Sequence, residues 1–275
     1  MNRLIYPLVK EFTSSHTTAI SDAVARLDRL HVMAALFGIG FTAFLAIEPT
    51  QNWLLLLLAG LVALGTDAVV RTHPRARFKR LDDTALYLFA PVLLTLSLGL
   101  FLEEVAEGYW SLVAGVGAAI PFAIVLQAEY DSVDRRAHAY DGARLILNIA
   151  TYVIAFLFYA TIYDFDLSLV AVTFAAGIVS LLLAIEILRE EALETPRTLL
   201  YAVAIGVLLS EAALAMQFLP LEGALAAIFL LLAFYLMTGL MHSYLADRLS
   251  LRTVGEFSGI ALLGLLIVVI SHSYI

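Results

Sequence analysis

The 275-residue chain is 62% hydrophobic and 15% charged, with a mean hydropathy of +0.93, a net charge of −8 and no cysteine. A soluble domain carries about 25% charged residues, so this chain has too few to wet a water-facing surface. The acidic balance argues against a nucleic-acid partner, and the missing cysteines exclude disulfides, thiolate metal sites and cysteine nucleophiles.

Residues 1–30 precede the first long apolar run. Ile5, Val9, Phe12, His16, Ile20, Val24 and Leu27 recur at steps of three and four, with Lys10, Asp22, Arg26 and Asp28 elsewhere on the wheel. This pattern predicts an amphipathic segment lying in the membrane interface, broken near Pro7 and Thr13-Ser14-Ser15. The opening MNRLIYPLVKEF lacks the uninterrupted apolar core of a signal peptide, so the first span is expected to act as its own insertion signal.

Residues 31–275 read as one membrane domain of about nine helices, at 31–48, 52–70, 84–102, 109–128, 144–163, 167–188, 198–218, 221–244 and 254–272. Its fold class is all-α, a polytopic helical bundle. The connections alternate between short acidic turns and longer loops that carry arginine. All 16 lysines and arginines fall at the N-terminus or in the longer loops, on one side of the bilayer. The positive-inside rule then places the N-terminus in the cytoplasm, and an odd span count puts the C-terminus outside. Glu48, Glu103, Glu104, Glu107, Asp164, Asp166 and Glu222 give the outer face only negative charge. A division into two repeats plus one helix suits the span count, but the halves show no residue-level similarity.

Polar residues within the spans mark the sides expected to face inward. Asp67 precedes Arg71 by one turn in the second span; Arg144, Asn148, Tyr152 and Tyr159 share a stripe in the fifth; Tyr235, Thr238 and His242 do so in the eighth. Asp67, Gln127, Glu129, Arg144, Asn148, Glu186 and His242 all lie toward the cytoplasmic ends of their spans. Such a ring would line a cavity open to the cytoplasm, or simply be polar helix ends and snorkelling side chains. Glu211 lies deeper, flanked by apolar residues, where an ionisable group costs roughly 2.5–3.5 kcal/mol on insertion scales. No basic residue shares its depth, so it is expected to be a protonatable floor to that cavity.

The sequence carries no complete catalytic motif. Nine spans with this orientation are similar in architecture to intramembrane prenyltransferases. The loops RTHPRARFKRLDD and REEALETPR, however, lack the aspartate spacing that would hold magnesium and diphosphate. Glu103-Glu104 resembles the acidic pair of CAAX-type intramembrane proteases, but EEVAEG has no arginine at the required offset. The run from Glu129 to His138 offers Asp131, Asp134 and His138 as metal ligands, or a solvated loop held by local ion pairs.

The sequence therefore predicts a multi-pass plasma-membrane protein that binds or carries a small or lipidic ligand without catalysis. Its site residues would be Glu211, Asn148, Tyr152, His242, Asp67, Arg144 and Glu186. Beyond the lipid bilayer, the partner expected is that ligand, with another membrane protein or a second copy of the chain as the further candidates. The sequence leaves the cofactor unknown, a bound pigment or haem included. One alternative is a structural or assembly subunit of a membrane complex. The other is an enzyme acting on a lipid or isoprenoid at the cytoplasmic face, which needs Asp67, Glu129, Arg144 and His242 to converge.

Overall fold

The computed structural model describes residues 29–47, 51–76, 78, 83–165, 167–189, 195–219 and 223–273. The amphipathic N-terminal segment expected at 1–30 lies outside these residues apart from its last two. Among the described residues every element is helical. They are α1 (Arg29–Ala46), α2 (Asn52–Arg71), a 3₁₀ turn (Ala85–Tyr87), α3 (Phe89–Val105), α4 (Tyr109–Gly117), α5 (Ala119–Asp131), α6 (Tyr140–Asp164), α7 (Leu169–Leu188), α8 (Thr195–Met216), α9 (Gly223–Leu245) and α10 (Leu251–Ser273).

Eight helical segments among the described residues are long and apolar enough to cross a membrane, with α4 and α5 together forming one of them. The break between those two falls at Ala118, three residues before Pro121. Proline has no N–H for the carbonyl four residues back and its ring crowds that carbonyl, so the helix is interrupted there. α10 occupies the position of the ninth expected span.

Helix α6 is the axis of the bundle, with α3, α5, α7 and α9 packed around it. Its tyrosines fasten it to three neighbours. The Tyr152 and Thr238 hydroxyls lie 3.2 Å apart on α6 and α9, and those of Tyr159 and Ser180 lie 2.6 Å apart on α6 and α7. Tyr163 donates to the Ala213 carbonyl of α8 at 3.0 Å. Each phenol buries an apolar ring and still satisfies its hydroxyl, as a low-dielectric interior requires.

Among α2–α10, helices α7 and α8 make the most extensive pairing. Gly177 and Gly206 face each other there, and a Cβ on Gly206 would stand 2.8 Å from the Gly177 carbonyl oxygen. Small residues permit this approach, and packing rather than hydrophobic transfer drives helix association within lipid. On the other flank, Phe37 of α1 stacks on Phe122 of α5 with ring centroids 4.1 Å apart.

The outward faces carry a belt of exposed apolar side chains, including Leu57, Leu61, Leu64, Ile149, Phe174 and Val207. A surface of this kind suits hydrocarbon rather than water. The chain is a multi-pass helical membrane protein.

Candidate functional site

Three arginine-bearing connections meet at one end of the bundle. Arg75, after α2, pairs with Asp134, after α5, at 2.7 Å. Arg135 donates to the Arg189 carbonyl at 2.9 Å, and Arg189 in turn donates to the Leu86 carbonyl at 2.9 Å. Three connections, remote in sequence, are thereby tied together around the ends of α3, α5, α6 and α7.

Beneath them lies a buried ion network. Glu129 and Glu186 are fully buried, and Arg144 is 3% exposed. Glu186 Oε1 accepts from Arg144 at 3.0 Å and forms an ion pair with Arg189 at 2.8 Å. Arg144 also donates to the Glu186 backbone carbonyl at 2.8 Å, a contact near the C-terminal end of α7. Arg189 reaches Glu129 Oε2 at 2.5 Å and lies over the Tyr87 ring, 4.6 Å from its centroid, as a cation–π contact. Burial by itself would lower the Arg189 pKa, but the charges of Glu129 and Glu186 more than reverse that, and the guanidinium is held charged. Two carboxylate oxygens, Glu129 Oε1 and Glu186 Oε2, are buried with no hydrogen-bond partner among the described residues.

Above the network is a small, partly open cleft of about 90 Å³, lined by Leu86, Tyr87, Ser132, Arg135, Tyr140, Arg144 and Arg189. Three arginines and two tyrosines therefore line one space. Helix α6 begins at Tyr140, which brings the positive end of its dipole to the rim. Two larger cavities, of about 430 and 420 Å³, open between α1 and α4–α5 and between α9 and α10. Both are apolar grooves without charged side chains to orient a ligand, so they offer room without specificity.

The expected site residues divide among several places. Arg144 and Glu186 come together in the network. Asn148 is half-buried one turn further along α6, and Tyr152 is used in the α6–α9 contact with Thr238. His242 is half-buried near the end of α9. Asn148, Tyr152 and His242 line none of the three cavities described. Asp67 binds Arg71 at 2.7 Å and accepts from the Thr84 hydroxyl, which clamps the end of α2 to the turn before α3. Glu211 lies on the exposed face of α8 rather than beneath a cavity. Its neighbours one turn to either side, Val207 and Ala215, are exposed as well.

Of the four groups that an enzymatic reading would unite, Glu129 and Arg144 share the network while Asp67 belongs to the separate α2 clamp. Asp131 accepts from Gln127 at 2.6 Å, and Asp134 from Arg75 and the Arg136 amide. Partial burial pushes the Asp134 carboxyl up, but these bonds and the Arg75 and His73 charges outweigh it and hold the group below its ordinary value. Among the described residues, no three histidine or acidic side chains are grouped to hold a metal ion.

A family model described as "Protein of unknown function (DUF5656)" matches residues 27–271. The chain belongs to this family. No curated protein and no solved structure matches it. The matched stretch runs from just before α1 into the last turn of α10, so it contains both the buried network and the cleft.

In the sequence Arg189 is one of the loop cations, and no motif marks Tyr87, Arg135 or Tyr140 as site residues. One local signal pointed to Arg189. It follows Glu186 by three residues at a helix end, the spacing of an i,i+3 ion pair.

Proposed function

We propose that this chain is a plasma-membrane protein, N-terminus inside and C-terminus outside, that binds the anionic group of a small or lipidic ligand at the arginine cleft without transforming it. The observation that carries this reading is the convergence of Arg135, Arg144 and Arg189 with Tyr87 and Tyr140 on one partly open space. Guanidinium forks match carboxylate and phosphate oxygens, and buried carboxylates beneath them hold the forks in place before a ligand arrives. The concentration of arginine at this end supports a cytoplasmic location for the cleft under the positive-inside rule.

The test is thermal unfolding in detergent with rising concentrations of a short-chain phosphatidate or its zwitterionic choline counterpart. At about 100 times Kd the anionic lipid should stabilise the protein by about 2.7 kcal/mol. Arg135→Gln should weaken that effect while leaving the unliganded protein intact, because Arg135 is exposed and stands outside the buried pairs. Equal shifts with both lipids would refute the reading.

A structural or assembly subunit remains a second reading because of Glu211. A carboxyl on the outer face of α8 lacks water to solvate it within hydrocarbon, and a neighbouring subunit would supply a hydrogen-bond partner. Purification in mild detergent decides: an oligomer lost in Glu211→Leu supports assembly, and a monodisperse monomer opposes it.

A further inference from the structure

We infer that two copies of this chain pair through the outer face of α8, parallel and about a two-fold axis along the membrane normal, with Glu211 hydrogen-bonded to the partner's Glu211. The inference rests on the assembly reading above and names the partner and the contact.

Glu211 is the charged side chain that the fold itself does not satisfy. It is exposed, and among the described residues it takes part in no hydrogen bond or ion pair. It precedes Met216, the end of its span, by five residues, which is ~7 Å along the axis at a rise of about 1.5 Å per residue. Side chains on a helix lean toward its N-terminus, and the nearer end of α8 is its C-terminus. The carboxyl therefore leans deeper into hydrocarbon instead of snorkelling out of it. Among the described residues of the eight spans, no other charged side chain is exposed so far from a helix end.

Helix α8 cannot turn to hide this group. Its far side is fixed by Gly206 against Gly177 of α7, and by the Ala213 carbonyl, which accepts from Tyr163 of α6 at 3.0 Å. The face that carries Glu211 also presents Ala204, Val207, Leu208 and Ala215, all exposed. Alanines on either side of the carboxyl let another helix come close.

Whatever covers this face must bring a hydrogen-bond partner to the depth of Glu211, and a second copy does so by symmetry. Copies inserted the same way have parallel α8 helices, and a two-fold axis along the membrane normal sets each residue opposite itself at equal depth. A neutral carboxyl has one O–H donor and an acceptor oxygen, so two of them are self-complementary and close a reciprocal pair of hydrogen bonds. Hydrocarbon holds no water to compete with that pair.

The experiment measures self-association of the purified full chain by sedimentation equilibrium in density-matched detergent, and contact by disulfide cross-linking, for which a chain without cysteine gives no background. The wild type should dimerise. Glu211→Leu should weaken the dimer about tenfold, and Glu211→Gln should keep it, since an amide also donates and accepts. Leu208→Cys and Ala215→Cys, about one turn to either side of a retained Glu211, should each cross-link on mild oxidation. Leu61→Cys, on the exposed face of α2, should not. These cysteine variants keep the carboxyl, so they test the contact whether or not the leucine variant folds. A dimer that fails to cross-link at both α8 positions, or that the leucine and glutamine variants weaken equally, or that neither weakens, overturns the carboxyl pairing and leaves assembly through another surface standing. A monomer throughout, with no cross-link at either α8 position, overturns both.

Discussion

Replacing Glu186 by alanine tests the buried network most directly. Glu186 is fully buried, and its Oε1 serves Arg144 at 3.0 Å and Arg189 at 2.8 Å. Removing one partner of a buried pair costs about 3–5 kcal/mol, because the surviving charge is left without compensation. Two features of this network hold the loss toward the lower end. Arg144 keeps the residue 186 carbonyl, and Arg189 keeps Glu129 and the Leu86 carbonyl. The expected destabilisation is therefore about 3 kcal/mol, read from equilibrium unfolding in mixed micelles. Glu256→Ala is the control, since its pair with Arg252 has side chains 89% and 60% exposed and contributes little. Arg144→Met combined with Glu186→Leu should recover most of the loss, as apolar replacement of a whole buried pair commonly does. If Glu186→Ala fell within about 0.5 kcal/mol of the control, the network would not hold these helices and the reasoning would fail.

Gly206→Ala places a Cβ 2.8 Å from both the Gly177 carbonyl oxygen and Leu181 Cβ. It should destabilise the α7–α8 pair by about 1–3 kcal/mol. Gly60→Ala, with nothing within 4 Å of the new atom, should be neutral or mildly stabilising in the same unfolding assay. Asp134 has a depressed folded-state pKa, so its contribution is present above the unfolded-state value and lost as pH falls through the folded one. Asp134→Asn should flatten the acid limb of the stability curve, and an unchanged limb would show that the Arg75 link does not count. Glu211→Gln should leave ligand-induced stabilisation at the arginine cleft unaltered, since Glu211 lies on the outer face of α8; a lost response would move the site there.

Much of the fold was legible because a bilayer imposes a coarse rule that composition reveals. A run of about 20 apolar residues has one economical structure in hydrocarbon, and eight of the expected spans appear as such helices among the described residues. Side-chain periodicity also identified the polar stripe of the helix that became α6. What that stripe faces is a different matter. Tyr152 and Tyr159 proved to be fasteners to α9 and α7, because a phenol within lipid is satisfied as readily by a neighbouring helix as by a ligand. Periodicity gives the buried side of a helix and is silent about what lies opposite.

The same limit explains why Glu211 drew more weight than the arginines. A charge in mid-span is conspicuous in one dimension, whereas Arg189 reads as an ordinary loop cation until α5 and α6 bring Glu129 and Arg144 beside it. The pairing depends on contacts across sequence separations of 42 and 60 residues, and no local pattern encodes these. Charge counting nevertheless anticipated where to look. Among the described residues, Arg75, Arg135, Arg144 and Arg189 gather at one end of the bundle, as the basic connections in the sequence lead one to expect. The structure narrows that end to a cleft lined by Arg135, Arg144 and Arg189 above two buried carboxylates, the arrangement on which the proposal of anion binding rests.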